Sequence, residues 1–166
     1  MKKTLLHLLI ISIAVFMFAC DDNGFTENKD GVVAETLHGK DYGVVVYSDS
    51  NPLVLMGHLS FQDIDGDIIS GGWYMEAWGE QPHFSTLPVN MGEEFPGNDK
   101  LEAFTGQIFG DMIIINLDLP GSEESLGIVL ERQDGDELFG SATLLPDKAF
   151  DGKFKALIYS EADSEQ

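Results

Sequence analysis

The chain has 166 residues and carries 29 acidic against 9 basic side chains, a net charge of −20 with its histidines neutral. A surface of that sign excludes nucleic acid as a partner, since phosphate binding needs clustered Lys and Arg, and it disfavours electrostatic docking on anionic lipid headgroups. One cysteine excludes an internal disulfide, and the length is that of a single domain able to bury a core without one.

Met1-Lys2-Lys3, an apolar run from Leu5 to Phe18, and Ala19 before Cys20 read as a secretory signal peptide. The run is shorter than the roughly 20 residues of a spanning helix. Its end, Met17-Phe18-Ala19-Cys20, resembles the lipobox of bacterial lipoproteins. That resemblance covers residues 1–20 and implies that residues 1–19 are removed and that Cys20, acylated on its sulfur, becomes the N-terminus. The protein is then expected in the cell envelope, at the outer membrane or cell surface, with Asp21 the one feature that would hold it at the inner membrane. Loss of Lys2 and Lys3 takes the mature chain to 147 residues and a charge of −22. The acidity is read as solubility or as adaptation to high salt. The salt reading predicts a melting temperature that climbs from dilute buffer to molar sodium chloride, because the screening length falls from roughly 30 Å at 0.01 M to 3 Å at 1 M. A flat or falling thermal scan would leave plain solubility.

Residues 20–40 form a polar tether on this reading, with a mean reach of roughly 20–25 Å. Residues 161–166 form a frayed tail, and residues 41–160 the folded domain. Within the domain the pattern is strand throughout, with segments at 42–48, 53–62, 68–78, 102–109, 112–118, 126–132, 137–145 and 152–159. Alternation is the warrant: Leu53, Leu55, Leu59 and Phe61 share one face of the second segment, and Phe154, Ala156 and Ile158 oppose Lys153 and Lys155 in the last.

The turns are short. Asp65-Gly66 and Asp134-Gly135 fit two-residue type I′ hairpins and Gly110-Asp111 a type II′ hairpin. Short links pair each strand with its sequence neighbour, giving an all-β, eight-stranded antiparallel meander. Glycines inside strands (Gly57, Gly71, Gly72, Gly106, Gly127, Gly140) suggest tight bends. The expected fold is a closed up-and-down barrel, with a two-sheet sandwich as the alternative. Met112-Ile113-Ile114-Ile115 is apolar on both faces, so its outer side should be covered or lie in a contact. In strand number and Gly-rich hairpins the domain loosely resembles calycin-type barrels of the lipocalin and avidin kind. The Gly-x-Trp of the first lipocalin strand has its nearest equivalent in Gly72-Trp73 of the third segment. The resemblance implies an architecture and a ligand-binding role, with no functional residues carried over.

Three constellations bear on chemistry. Asp63, Asp65 and Asp67 alternate as calcium ligands do, but Ile68 and Tyr74 stand where an EF-hand needs Gly and Glu, so a hairpin turn explains them better. His38, His58 and His83 match no zinc spacing, and no nucleophile elbow is present. No metal, cofactor or catalytic set is expected. Gly79–Lys100 is long for a protein of short hairpins, and such loops tend to act as lids or binding elements. Trp73, Tyr74, Trp78, His83 and Phe84 around it are the candidate mouth of a pocket for a small apolar or amphipathic ligand. The competing expectation is a solid barrel acting through its surface, favoured if Phe61, Trp73, Phe104 and Phe154 fill the interior.

Overall fold

The computed structural model describes residues 31–49, 53–91 and 101–158. The leader, Cys20, Asp21, the first part of the tether and the tail at 161–166 lie outside the described residues. The strands are β1 (Lys40–Tyr47), β2 (Leu55–Asp65), β3 (Ile68–Trp78), β4 (Val89–Asn90), β5 (Glu102–Phe109), β6 (Met112–Asp118), β7 (Ser125–Asp134), β8 (Glu137–Leu145) and β9 (Asp151–Ile158). All eight expected strands form, and β3, β5, β6 and β8 keep their expected limits. Strand β4, of two residues, is the addition.

Every neighbour along the meander pairs antiparallel, and β9 returns to β1 with Tyr42 opposite Ile158 and Tyr47 opposite Lys153. That last pairing closes the sheet into an eight-stranded barrel and removes the sandwich alternative. Closure satisfies every edge but one. Strand β5 leaves β3 at Trp73, and β4 then takes the exposed edge in parallel, Ala77 opposite Val89 and Trp78 opposite Asn90.

Alternation sorts the side chains as a barrel requires. Tyr42, Val44 and Val46 of β1, Ile113, Ile115 and Leu117 of β6, and Leu126, Ile128 and Leu130 of β7 all point inward and are fully buried. Curvature comes from a device used twice. An extra residue, Gln62 in β2 and Glu131 in β7, interrupts the register just beyond Phe61 and Leu130. Glycine sits opposite in each case, Gly71 facing Phe61 and Gly140 facing Leu130. Bulges of this kind bend a strand and raise its twist.

The hairpin turns differ from expectation by one residue. Asp65 pairs with Ile68 and Asp134 with Glu137, so the two-residue loops are Gly66-Asp67 and Gly135-Asp136. Gly66 and Gly135 take positive φ (60° and 59°) while the aspartates do not, which is the type II′ pattern rather than type I′. Gly110-Asp111, with Gly110 at φ 61°, adopts the same turn, as expected.

Both barrel ends are plugged. At the hairpin end, residues 32–39 do not belong to a free tether: a 3-10 turn at Ala34–Thr36 carries Val32, Ala34 and Leu37 into the core. This segment is held by Val32 N donating to the Asp111 carbonyl at 2.8 Å, by Gly39 N donating to the Phe61 carbonyl at 2.8 Å, and by the Gln133 side chain, whose Oε1 accepts from Thr36 Oγ1 at 3.1 Å. At the opposite end a 3-10 turn at Pro82–Phe84 inserts Phe84 and Leu87, with Phe84 meeting Phe150 edge-on at 5.3 Å between ring centres.

Candidate ligand-binding site

The five residues expected at a pocket mouth fall on different walls. Alternation along β3 sends Trp73 inward, 1% exposed, and Tyr74 and Trp78 outward. Phe84 is buried in the plug, and His83 beside it is exposed. The segment 92–100 of the expected loop lies outside the described residues.

On the outer wall Tyr74 joins a polar network. Its hydroxyl donates to Glu76 Oε1 at 2.7 Å, and Asn90 Nδ2 donates to Glu76 Oε2 at 2.7 Å. Glu76 and Tyr74 are two apart on one strand and so share a face; Asn90 reaches them because β4 pairs with Trp78. Desolvation, followed by the hydrogen bond to and charge of Glu76, pushes the Tyr74 hydroxyl up to about 12. His58 stands opposite Tyr74 on β2 and is buried at 3% exposure, although it faces the outer side of the barrel. The network was not legible in the sequence, since nothing local marks the contact of Asn90 with β3. His38 and His83 are exposed, apart from it.

Asp63 is engaged locally, its Oδ1 accepting from Ile64 N at 3.0 Å. Among the described residues no three His, Cys, Asp or Glu side chains converge as a metal site.

Depressions of ligand size lie outside the barrel. Phe61, Trp73, Phe104 and Phe154 all point inward with at most 4% exposure. Phe61 packs edge-on against both Tyr42 (5.7 Å) and Phe104 (5.8 Å). Eight strands enclose a volume that side chains of this size can occupy, and these four rings take up much of it. Two half-open depressions are formed by described residues. One, of about 360 Å³, lies between the N-terminal plug and the tips of the β2–β3 and β5–β6 hairpins, and includes Glu35, Ile64 and Asp111. The other, of about 400 Å³, runs along the outer wall over β5, between Ile68 of β3 and Ile114, Asn116 and Asp118 of β6. Its floor is low because β5 presents the small Ala103 and Thr105 there. The sequence signal for this groove was Ile114, an outward apolar residue in a strand that is apolar on both faces.

No family model matches the chain, and no curated protein matches it. Among solved structures it is similar to one described as EF1p2_mFAP2b bound to DFHBI, with a TM-score of 0.47 and 9% identity, over 77% of this chain and 97% of that one. Likeness at that level assigns nothing to this chain. The closed eight-stranded barrel seen here is the architecture that the resemblance to calycin-type barrels implied.

Proposed function

We propose that the chain is a lipid-anchored protein of the bacterial envelope whose barrel is a rigid, non-catalytic scaffold binding a small apolar or amphipathic ligand on its outer wall. The observation that carries the binding part is the division of space: Phe61, Trp73, Phe104 and Phe154 occupy the lumen, while a groove of about 400 Å³ with apolar and polar ends remains outside. The anchor rests on Ala19-Cys20 at the end of the leader. Neither nucleic acid nor a cofactor belongs to this reading.

Cys20→Ser is expected to move the protein from the membrane to the soluble fraction. Mass spectrometry of the mature N-terminus should find acyl groups on Cys20, and a free thiol there would sink the anchor. The binding half is tested by amide hydrogen exchange with single-chain amphiphiles: no protected amide anywhere in the barrel would remove it.

A second location has its own support. The Phe84 plug is a single 3-10 turn against Phe150, over a core that contains Trp73. Its displacement would open the mouth anticipated for the loop, and a closed eight-stranded barrel can hold one small ligand there.

A further inference from the structure

We propose that the outer groove over β5 binds a single-chain amphiphile whose head carries a positive charge or hydrogen-bond donors, its chain lying toward the β5–β6 hairpin and its head at Asp118. This deepens the ligand-binding reading above and rests on it. The groove is ordered along its length. Ile68, Phe109 and Ile114 cluster at the hairpin end, and Asn116 and Asp118 stand at the other. From Phe109 to Ala103 is six residue steps, or ~20 Å at the rise of a strand, the length of an extended alkyl chain with a small head. Ile68 is 52% exposed, a large apolar side chain left open to water beside this channel.

The polar end selects the head. Asp118 is exposed and makes no ion pair among the described residues. The side chains of Asn116 and Asp118 are engaged in no hydrogen bond among the described residues, while Gln107 lies between Ile68 and Ile114 nearer the hairpin. A chain of charge −20 repels an anionic head and attracts a cation or a donor. Gly31 and Val32, the first described residues, lie against Asp111 beside the apolar end of the groove, Val32 N donating to the Asp111 carbonyl at 2.8 Å.

The test uses the processed chain, residues 20–166, carrying Cys20→Ser; the barrel closes within residues 40–158 and does not include the leader. Dodecylamine, dodecanol and dodecanoate are titrated below their micellar concentrations, and amide exchange is read strand by strand. Dodecylamine should protect β5 and β6 most, dodecanoate least. Thr105→Trp, which fills the groove from an exposed position, should weaken all three at least tenfold. Asp118→Asn should weaken dodecylamine about threefold, as loss of one exposed charge pair does, and leave dodecanol unchanged. Should Thr105→Trp fail to fold by thermal melt, Ile114→Ser removes the apolar end instead and should produce the same loss. Wild-type affinity in Asp118→Asn and in the groove-filling variant overturns the proposal. Protection centred on Trp73 and Phe84 also overturns it, while leaving a ligand-binding barrel in place. Absence of protection with all three probes removes the groove and the binding function together.

Discussion

Gly71→Val and Gly140→Val are each expected to cost the barrel at least about 3 kcal/mol, a large part of the stability of a domain this size. A Cβ at Gly71 would lie 1.8 Å from the Ser60 carbonyl oxygen, and one at Gly140 would lie 1.9 Å from the Val129 carbonyl oxygen. Those oxygens belong to the partner strand beside the bulges at Gln62 and Glu131, so relief requires the backbone itself to move. Moving it flattens the bend and pulls apart the register that closes the barrel. Gly127→Ala is the control. Its Cβ would meet the Leu145 Cδ1 atom at 3.0 Å, the far end of a side chain that can rotate away, and the cost should stay within about 1 kcal/mol. Urea unfolding of the three variants decides the matter. Midpoints for Gly71→Val and Gly140→Val that match the wild type would show that the bends tolerate a side chain and do not set the curvature.

These glycines show where sequence reasoning succeeds and where it stops. Their recurrence inside strands pointed to tight bends, and the alternation of Leu59 and Phe61 or Phe154 and Ala156 fixed which faces are buried. The exact turns were out of reach. In Asp65-Gly66-Asp67 and Asp134-Gly135-Asp136 the glycine can end one hairpin loop or begin another, and the choice depends on how the two strands register across bulges at Gln62 and Glu131 that carry no local mark. In the sequence the plug at Ala34–Thr36 reads as part of a polar tether, because the burial of Val32, Ala34 and Leu37 depends on a mouth built from distant residues such as Phe61, Asp111 and Gln133. The site followed the same logic. Ile114 announced itself by being apolar where the wall should be polar, whereas Asn90 joins Glu76 only through a two-residue parallel pairing that no local pattern predicts.

Alkaline pH is expected to unfold the protein earlier than Tyr42→Phe, and the difference between the two reports one hydroxyl. Tyr42 is fully buried and packed edge-on against Phe61, and its hydroxyl makes no hydrogen bond to any described residue. Desolvation, with a smaller contribution from the charge of Asp136, raises it from 10.0 to about 12. A raised value means the fold prefers the neutral form. The corresponding stability is therefore complete below pH 10, where the unfolded chain is neutral too, and is lost as pH rises toward 12, where only the unfolded chain ionises freely. Two pH units correspond to about 2.7 kcal/mol at full loss. Tyr74 titrates upward in the same window, so the wild-type curve contains both groups, and subtracting the Tyr42→Phe curve isolates one. At neutral pH the same substitution should raise stability by about 1 kcal/mol, because it removes a buried polar group that gains nothing from its surroundings. Parallel urea titrations from pH 7 to 12 measure both effects. If Tyr42→Phe loses stability at neutral pH, the hydroxyl is satisfied by an internal water and its burial is not a penalty. If the two curves run parallel above pH 10, Tyr42 ionises as readily in the fold as out of it, and the closed, filled interior around it is not as dry as its packing requires.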